Sequence, residues 1–209
     1  MMDDPSFYHE LQIICMSPAD TFQDFKEAHS VILASGTMSP LDTFESELGL
    51  QFKHKIEANH VIKPGQVFCR HIDSARNGVE LLNTFKNRNN NRYLEGLGQL
   101  VVDVTQEVKS GGILVFFSSY PEMHRKLSVW TDMGIYEKIS KLATIYDEKS
   151  ISGKQFDSMM MEFKEKCKHQ RCVLFAVCRG KISEGIDFAD SAARVVMAIG
   201  LVYNSYLVV

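Results

Sequence analysis

The 209-residue sequence has no apolar run near the roughly 18–20 residues that a membrane helix needs. It has no G-x-x-x-x-G-K-[ST] phosphate loop and no G-x-G-x-x-G dinucleotide loop, so neither nucleotide signature is present. A hydrolase serine is unsupported without a G-x-S-x-G elbow. His9-Glu10 is followed by no second His at the spacing of a zinc protease. The cysteines are Cys15, Cys69, Cys167, Cys172 and Cys178. Their odd number, irregular spacing and lack of C-x-x-C argue against a disulfide framework or a zinc site, and for a reducing compartment. His54 and His60 stand at a spacing unsuited to a helical ligand pair, so no metal site is expected. The acidic start, Met1-Met2-Asp3-Asp4, has no apolar segment behind it, so no signal peptide is expected. A net charge of −3 carries no basic excess that would announce nucleic acid.

What is present is an ordinary globular balance, 45% hydrophobic and 23% charged. The length suits one large domain, or one domain with a small appendage. Strand and helix signals alternate along the chain. Leu11–Met16 reads as a strand closed by Ser17-Pro18, and residues 19–28 as a short helix. Ser30–Ala34 is a β-branched strand ending at Ser35-Gly36-Thr37. Ser39-Pro40 offers an N-cap and a first-turn proline for a helix carrying Leu41, Phe44 and Leu48, closed by Gly49. Two short strands are expected near residues 53–57 and 66–71. The Asn-rich stretch 73–91 is expected to be a long surface loop, too polar for core.

Residues 92–109 give the clearest helix, with Tyr93, Leu94, Leu97, Val101 and Val104 on one stripe. Ile113–Phe117 is apolar on both faces, as a central parallel strand should be. A helix follows over 120–130, a strand at 144–146, a helix at 154–167, and apolar strands at 172–178 and 194–201. Met159, Met160 and Phe163 fall at helical spacing and read as core. This alternation predicts an α/β domain with a parallel sheet. Ligands of such sheets sit beyond the carboxyl ends of the strands.

Three loops at those ends form the candidate site. Residues 179–187 pack two cations, two anions and two glycines into nine positions. Gly180 and Gly185 permit positive φ and close approach to a ligand. Arg179 and Lys181 suit phosphate oxygens. Glu184 and Asp187 suit a ribose hydroxyl, a water or a cation; a solvated turn is the competing reading. Ser35-Gly36-Thr37 sets two hydroxyls around a flexible residue. Ser118-Ser119-Tyr120 opens a helix, where free amides can hold phosphate, although an N-cap serine also explains it.

In order, these loops resemble motifs of the Rad3 / xeroderma pigmentosum group D type of superfamily 2 DNA helicases. Ile32–Pro40, I-L-A-S-G-T-M-S-P, is similar to motif III. Gly112–Tyr120, G-I-L-V-F-F-S-S-Y, resembles motif IV, with Ser118 where the family usually has proline. Val177–Phe188, V-C-R-G-K-I-S-E-G-I-D-F, matches motif V nearly throughout. Cys15-x-x-Pro18 and Glu57–Ile62 point to one branch of the family.

The resemblance implies a RecA-like, P-loop-NTPase-type parallel sheet flanked by helices, the second lobe of the motor. It covers roughly residues 8–201, with residues 1–29 preceding motif III, the lobe at 30–201 and a divergent tail at 202–209. The lobe is expected to be truncated, since motif VI does not follow the last strand. By resemblance, Ser35, Gly36 and Thr37 couple hydrolysis to strand movement. Ser119, Tyr120, Arg179, Gly180 and Lys181 contact DNA, through backbone amides and local charges. Glu184, Gly185 and Asp187 face the nucleotide cleft. ATP and Mg²⁺ are shared with the first lobe, and the family's iron–sulfur cluster belongs to that lobe, not to this chain. The partners implied are DNA and the first lobe, with no membrane, in the nucleus. The implied activity is ATP-dependent 5′–3′ unwinding in DNA repair, which the chain alone is not expected to perform. The alternatives are a non-catalytic binding or regulatory fragment and an incomplete gene model.

Overall fold

The computed structural model describes residues 15–59, 61–63, 65–148, 154–183 and 186–200. Contacts divide the chain into two units, Met1–Cys69 and Arg70–Val209. In the first, α1 (Pro18–Phe22) runs into a 3₁₀ turn at Gln23–Phe25, and α2 spans Leu41–Leu48. Helix α2 starts one residue later than expected, with Pro40 in the N-cap position and no side-chain cap. It ends as expected: Gly49 turns left-handed, φ 62°, and its N–H bonds the Glu45 carbonyl. A Cβ at Gly49 would stand 3.0 Å from that of Ala19, so α1 and α2 pack closely there. Lys55 bridges Asp42 at 2.8 Å and Glu45 at 2.7 Å, and its hydrogen bonds hold both carboxyls below their usual range.

The strands expected at Ser30–Ala34 and near 53–57 and 66–71 do not form. No described segment offers Ser30–Ala34 a ladder, and Ile32 is 88% exposed. β-Branched residues favour strands chiefly by packing on a neighbour, and that neighbour is missing here. Of the expected strand Leu11–Met16, only Cys15 and Met16 fall among the described residues, and they are irregular.

The second unit builds the sheet. Helix α3 (Asn91–Glu107) is capped by Asn90, whose Oδ1 accepts from the N–H groups of Arg92 and Tyr93. Strand β1 (Gly111–Phe117) leads into α4 (Tyr120–Asp132). The left-handed Gly134 then opens α5 (Ile135–Leu142), a helix the sequence reading missed. Strand β2 (Thr144–Asp147), α6 (Lys154–Lys166), β3 (Arg171–Val177), a 3₁₀ turn at Asp190–Ala192 and β4 (Val195–Ala198) follow. All strand pairs are parallel, in the order β2-β3-β1-β4.

Alternation along β1 and β3 sorts their side chains onto two faces. Ile113, Val115, Phe117, Val173, Phe175 and Val177 pack with α3, α4 and α5. Leu114, Cys172, Leu174 and Ala176 pack with Met160 and Phe163 of α6. Trp130, fully buried, donates its indole N–H to the Leu94 carbonyl at 2.8 Å and so ties α4 to α3. Burial of a Trp at this depth contributes about 3–5 kcal/mol by truncation.

The 73–91 stretch is mostly irregular, as expected, but it is not only surface. Asn83 Oδ1 accepts from the Tyr93 hydroxyl at 2.8 Å and from Lys126 Nζ at 3.1 Å. Lys126 is fully buried and also pairs with Glu122. Desolvation lowers its pKa, against the pull of Glu122. The loop is therefore held by the Asn83 amide together with Leu81, which packs on the core.

Gly112 marks the closest approach of two chain segments. A Cβ there would fall 2.0 Å from the Ala192 carbonyl oxygen and 2.9 Å from the Phe163 ring. Neither the strand nor the carbonyl can yield by that much cheaply. Gly112→Ala is expected to destabilise the chain by about 1–3 kcal/mol, read as a lower denaturation midpoint at unchanged slope.

Candidate nucleic-acid interface

The carboxyl ends of β1, β3 and β2 are neighbours, so the residues that follow them meet. Cys178 N–H extends the pairing by donating to the Phe117 carbonyl at 2.9 Å. Glu148 N–H does the same from β2 to the Phe175 carbonyl at 3.0 Å. These bonds leave the Ser118–Tyr120 turn, Glu148 and residues 178–183 at one end of the sheet.

Glu148 joins them. Its carboxylate is 5% exposed. Oε2 accepts from the Val177 N–H at 2.9 Å, and Oε1 accepts from the Ile182 N–H at 3.3 Å and the Tyr120 hydroxyl at 2.8 Å. A hydrogen bond to a charged group contributes about 1.5–3 kcal/mol. Burying a carboxylate costs several kcal/mol. The two nearly offset, so the gain lies in fixed geometry more than in stability. One carboxylate sets the relative positions of α4's first residue, the end of β3 and the loop beyond it.

The loop itself is anchored from below. Ile182 is fully buried against the α6 side of the core. Gly180 N–H bonds the Val177 carbonyl, and Ser183 bonds the Gly180 carbonyl through both its N–H and its hydroxyl. Gly180 does not adopt the left-handed conformation expected of it; Arg179 does, at φ 62°. Gly180 is needed for space: a Cβ would lie 2.7 Å from Glu148 Oε1 and 2.9 Å from the Val177 carbonyl oxygen. The close approach is thus to an internal carboxylate rather than to a ligand. The left-handed turn at Arg179, costing about 1–2 kcal/mol, leaves its side chain exposed beside the exposed Lys181.

Ser119 caps α4, its Oγ accepting from the Glu122 N–H at 3.4 Å, and is half-buried. That is the N-cap role the sequence allowed. Tyr120 stays 37% exposed. Burial raises its phenol pKa, and the hydrogen bond and charge of Glu148 raise it further; the Lys181 main chain acts the other way. Burial likewise pushes the Cys178 thiol up, against Arg179, which disfavours a reactive thiolate. Asp187 is exposed, while Ile186 and Phe188 on either side pack on the core. Glu184 and Gly185 lie outside the described residues.

Ser35, Gly36 and Thr37 belong to the other unit and do not end a sheet strand, contrary to expectation. All three are exposed. The Thr37 N–H donates to Ser35 Oγ at 3.2 Å, and the two hydroxyls lie 3.3 Å apart. Among the described residues no atom comes within 4 Å of a Cβ placed at Gly36.

The residue that sequence reasoning did not single out is Glu148. The available signal was an acidic residue directly after a strand whose neighbours end in polar loops. A second signal was Ile182, the apolar residue midway along a charged stretch.

The raised Tyr120 phenol pKa, from burial first and the Glu148 bond second, sets a pH dependence. The folded state holds the phenol proton more tightly than the unfolded chain, whose value is near 10. Its contribution is intact below pH 10 and lost as pH rises through the raised folded value. Denaturation midpoints of Tyr120→Phe should therefore fall less steeply above pH 10 than those of the unchanged chain; parallel curves would contradict this.

The profile of a family described as Helicase C-terminal domain matches residues 101–208. The Fanconi anemia group J protein homolog of Gallus gallus is 37% identical over 198 residues, 92% of this chain and 16% of the relative. The Regulator of telomere elongation helicase 1 homolog of Drosophila grimshawi is 37% identical over 191 residues, 90% of this chain and 19% of the relative. That of Drosophila persimilis is 38% identical over 177 residues, 84% and 17%. The chain thus spans under a fifth of the length of these relatives. With the parallel α/β sheet and the loops at its carboxyl edge, these matches establish that the chain belongs to the helicase C-terminal domain family, in its Rad3 / xeroderma pigmentosum group D-like group.

Proposed function

We propose that the chain is the C-terminal motor lobe of an ATP-dependent 5′–3′ DNA helicase, acting in nuclear DNA repair. The observation that carries this reading is the pair of exposed cations, Arg179 and Lys181, on a loop fixed from beneath by Glu148 and Ile182. Two main-chain amides at this site, those of Val177 and Ile182, are already taken by Glu148. They are therefore spent, and phosphate contact falls to the Arg179 and Lys181 side chains with the exposed edge of Tyr120. A net charge of −3 does not oppose this, since affinity for a strand depends on local cations.

Ser35 and Thr37, joined in a small hydroxyl turn, are the coupling pair in this reading. ATP and Mg²⁺ would be bound with a first lobe as partner, this lobe adding Glu184, Gly185 and Asp187. The exposed carboxylate of Asp187 suits a metal-bound water or a ribose hydroxyl. The sequence holds no phosphate loop, so the chain alone is expected to turn over no ATP.

Single-stranded DNA binding by the chain tests the reading. Arg179→Ala and Lys181→Ala should each weaken binding by about 1 kcal/mol, roughly fivefold, and lower the slope of log affinity against log salt by about 0.7. Unchanged affinity and slope in both variants would remove this loop from the interface. Arg179→Gly should lose the same affinity while gaining about 0.5–1 kcal/mol of stability, because the left-handed backbone then suits its residue. A melt and a binding titration on one preparation check both halves.

A further inference from the structure

We propose that Glu148 is a positioning residue for nucleic-acid binding: it sets the shape of the Arg179–Ser183 loop and aligns that loop with Tyr120, without touching the strand itself. The inference rests on the nucleic-acid reading above and adds a residue outside the three motifs to it. Glu148 is buried, so it offers no surface to a ligand. Its Oε1 accepts from two segments, the Tyr120 hydroxyl and the Ile182 N–H, and its Oε2 accepts from Val177 at the end of β3. The arrangement needs an acceptor on both oxygens. A glutamine has the same length but must turn an NH₂ group toward a donor, either at Val177 or at the Tyr120–Ile182 pair. The loop passes directly against the carboxylate: a Cβ at Gly180 would lie 2.7 and 2.9 Å from its two oxygens and 2.9 Å from the Val177 carbonyl oxygen.

Two consequences separate this role from a direct contact and from general stabilisation. A residue that acts only by aligning Arg179 and Lys181 has no effect left once both side chains are removed, whereas one that meets the strand itself adds its loss to theirs. A residue that merely stabilises the fold leaves the affinity of the folded protein unchanged.

The experiment is a salt-dependent titration of fluorescent oligo-dT with the full 209-residue chain. It compares the unchanged protein, Glu148→Gln, the double variant Arg179→Ala/Lys181→Ala and the triple variant that adds Glu148→Gln, each shown to be folded by circular dichroism at the titration temperature. Glu148→Gln alone should bind about tenfold more weakly with a reduced salt slope, and should cost little further affinity in the background that lacks both cations. Where Glu148→Gln does not fold, Glu148→Asp serves: it keeps the charge but is one methylene short of its three donors, and the same loss is expected. Unchanged affinity in a folded Glu148 variant overturns the positioning role and leaves the function standing. A full loss that persists in the background lacking the Arg179 and Lys181 side chains overturns it too, because Glu148 then acts apart from the two cations. No binding by the unchanged chain overturns the function, and this role with it.

Discussion

Glu148 holds together what the fold alone leaves separate. A parallel sheet fixes where its strands end, yet the segments beyond are free to take many paths. Here the carboxylate after β2 gathers the end of β3, the loop past it and the first residue of α4. Its energetic balance is close to even, with three charge-assisted bonds against the loss of hydration. What it supplies is a single arrangement. Arg179 can then sit in a strained left-handed turn, because Gly180 and Ile182 on the same loop have nowhere else to go.

This arrangement divides labour between the inside and the outside of one loop. Its underside is committed to the protein: two amides of the site meet Glu148, and Ile182 fills the core. Its upper side presents Arg179 and Lys181 to solvent. A loop whose amides were free would bind anions through its backbone, with little dependence on individual side chains. In the proposed nucleic-acid reading, recognition would rest on side-chain charge and so be sensitive to salt and to single substitutions.

Much of this was legible in the sequence, for physical reasons that differ by element. β1 and β3 are buried on both faces and read as continuous apolar runs. α3 shows its stripe because one face packs on the sheet. Helix α5 was missed because it buries little more than Ile135 and Ile139, too short a pattern to stand out. Ser30–Ala34 was misread because β-branched composition describes a residue's preference, not the presence of a partner strand. The polar partners were the least visible. Glu148 and Tyr120 are 28 residues apart, and Asn83 and Lys126 are 43 apart; neither spacing leaves a periodic trace. Gly180 looked like a left-handed glycine, whereas the Glu148 carboxylate and the Val177 carbonyl beside it leave no room for a Cβ.

The most direct test of the account is native-state amide hydrogen exchange at Val177 and Ile182 in the unchanged chain. Ile182 lies outside every described strand and helix, and its N–H donates to Glu148 Oε1 at 3.3 Å. The account predicts that Ile182 exchanges as slowly as the amides at the end of β3, and that both quicken together when the sheet opens. An Ile182 amide exchanging at the rate of an unstructured peptide, with β3 still protected, would contradict it.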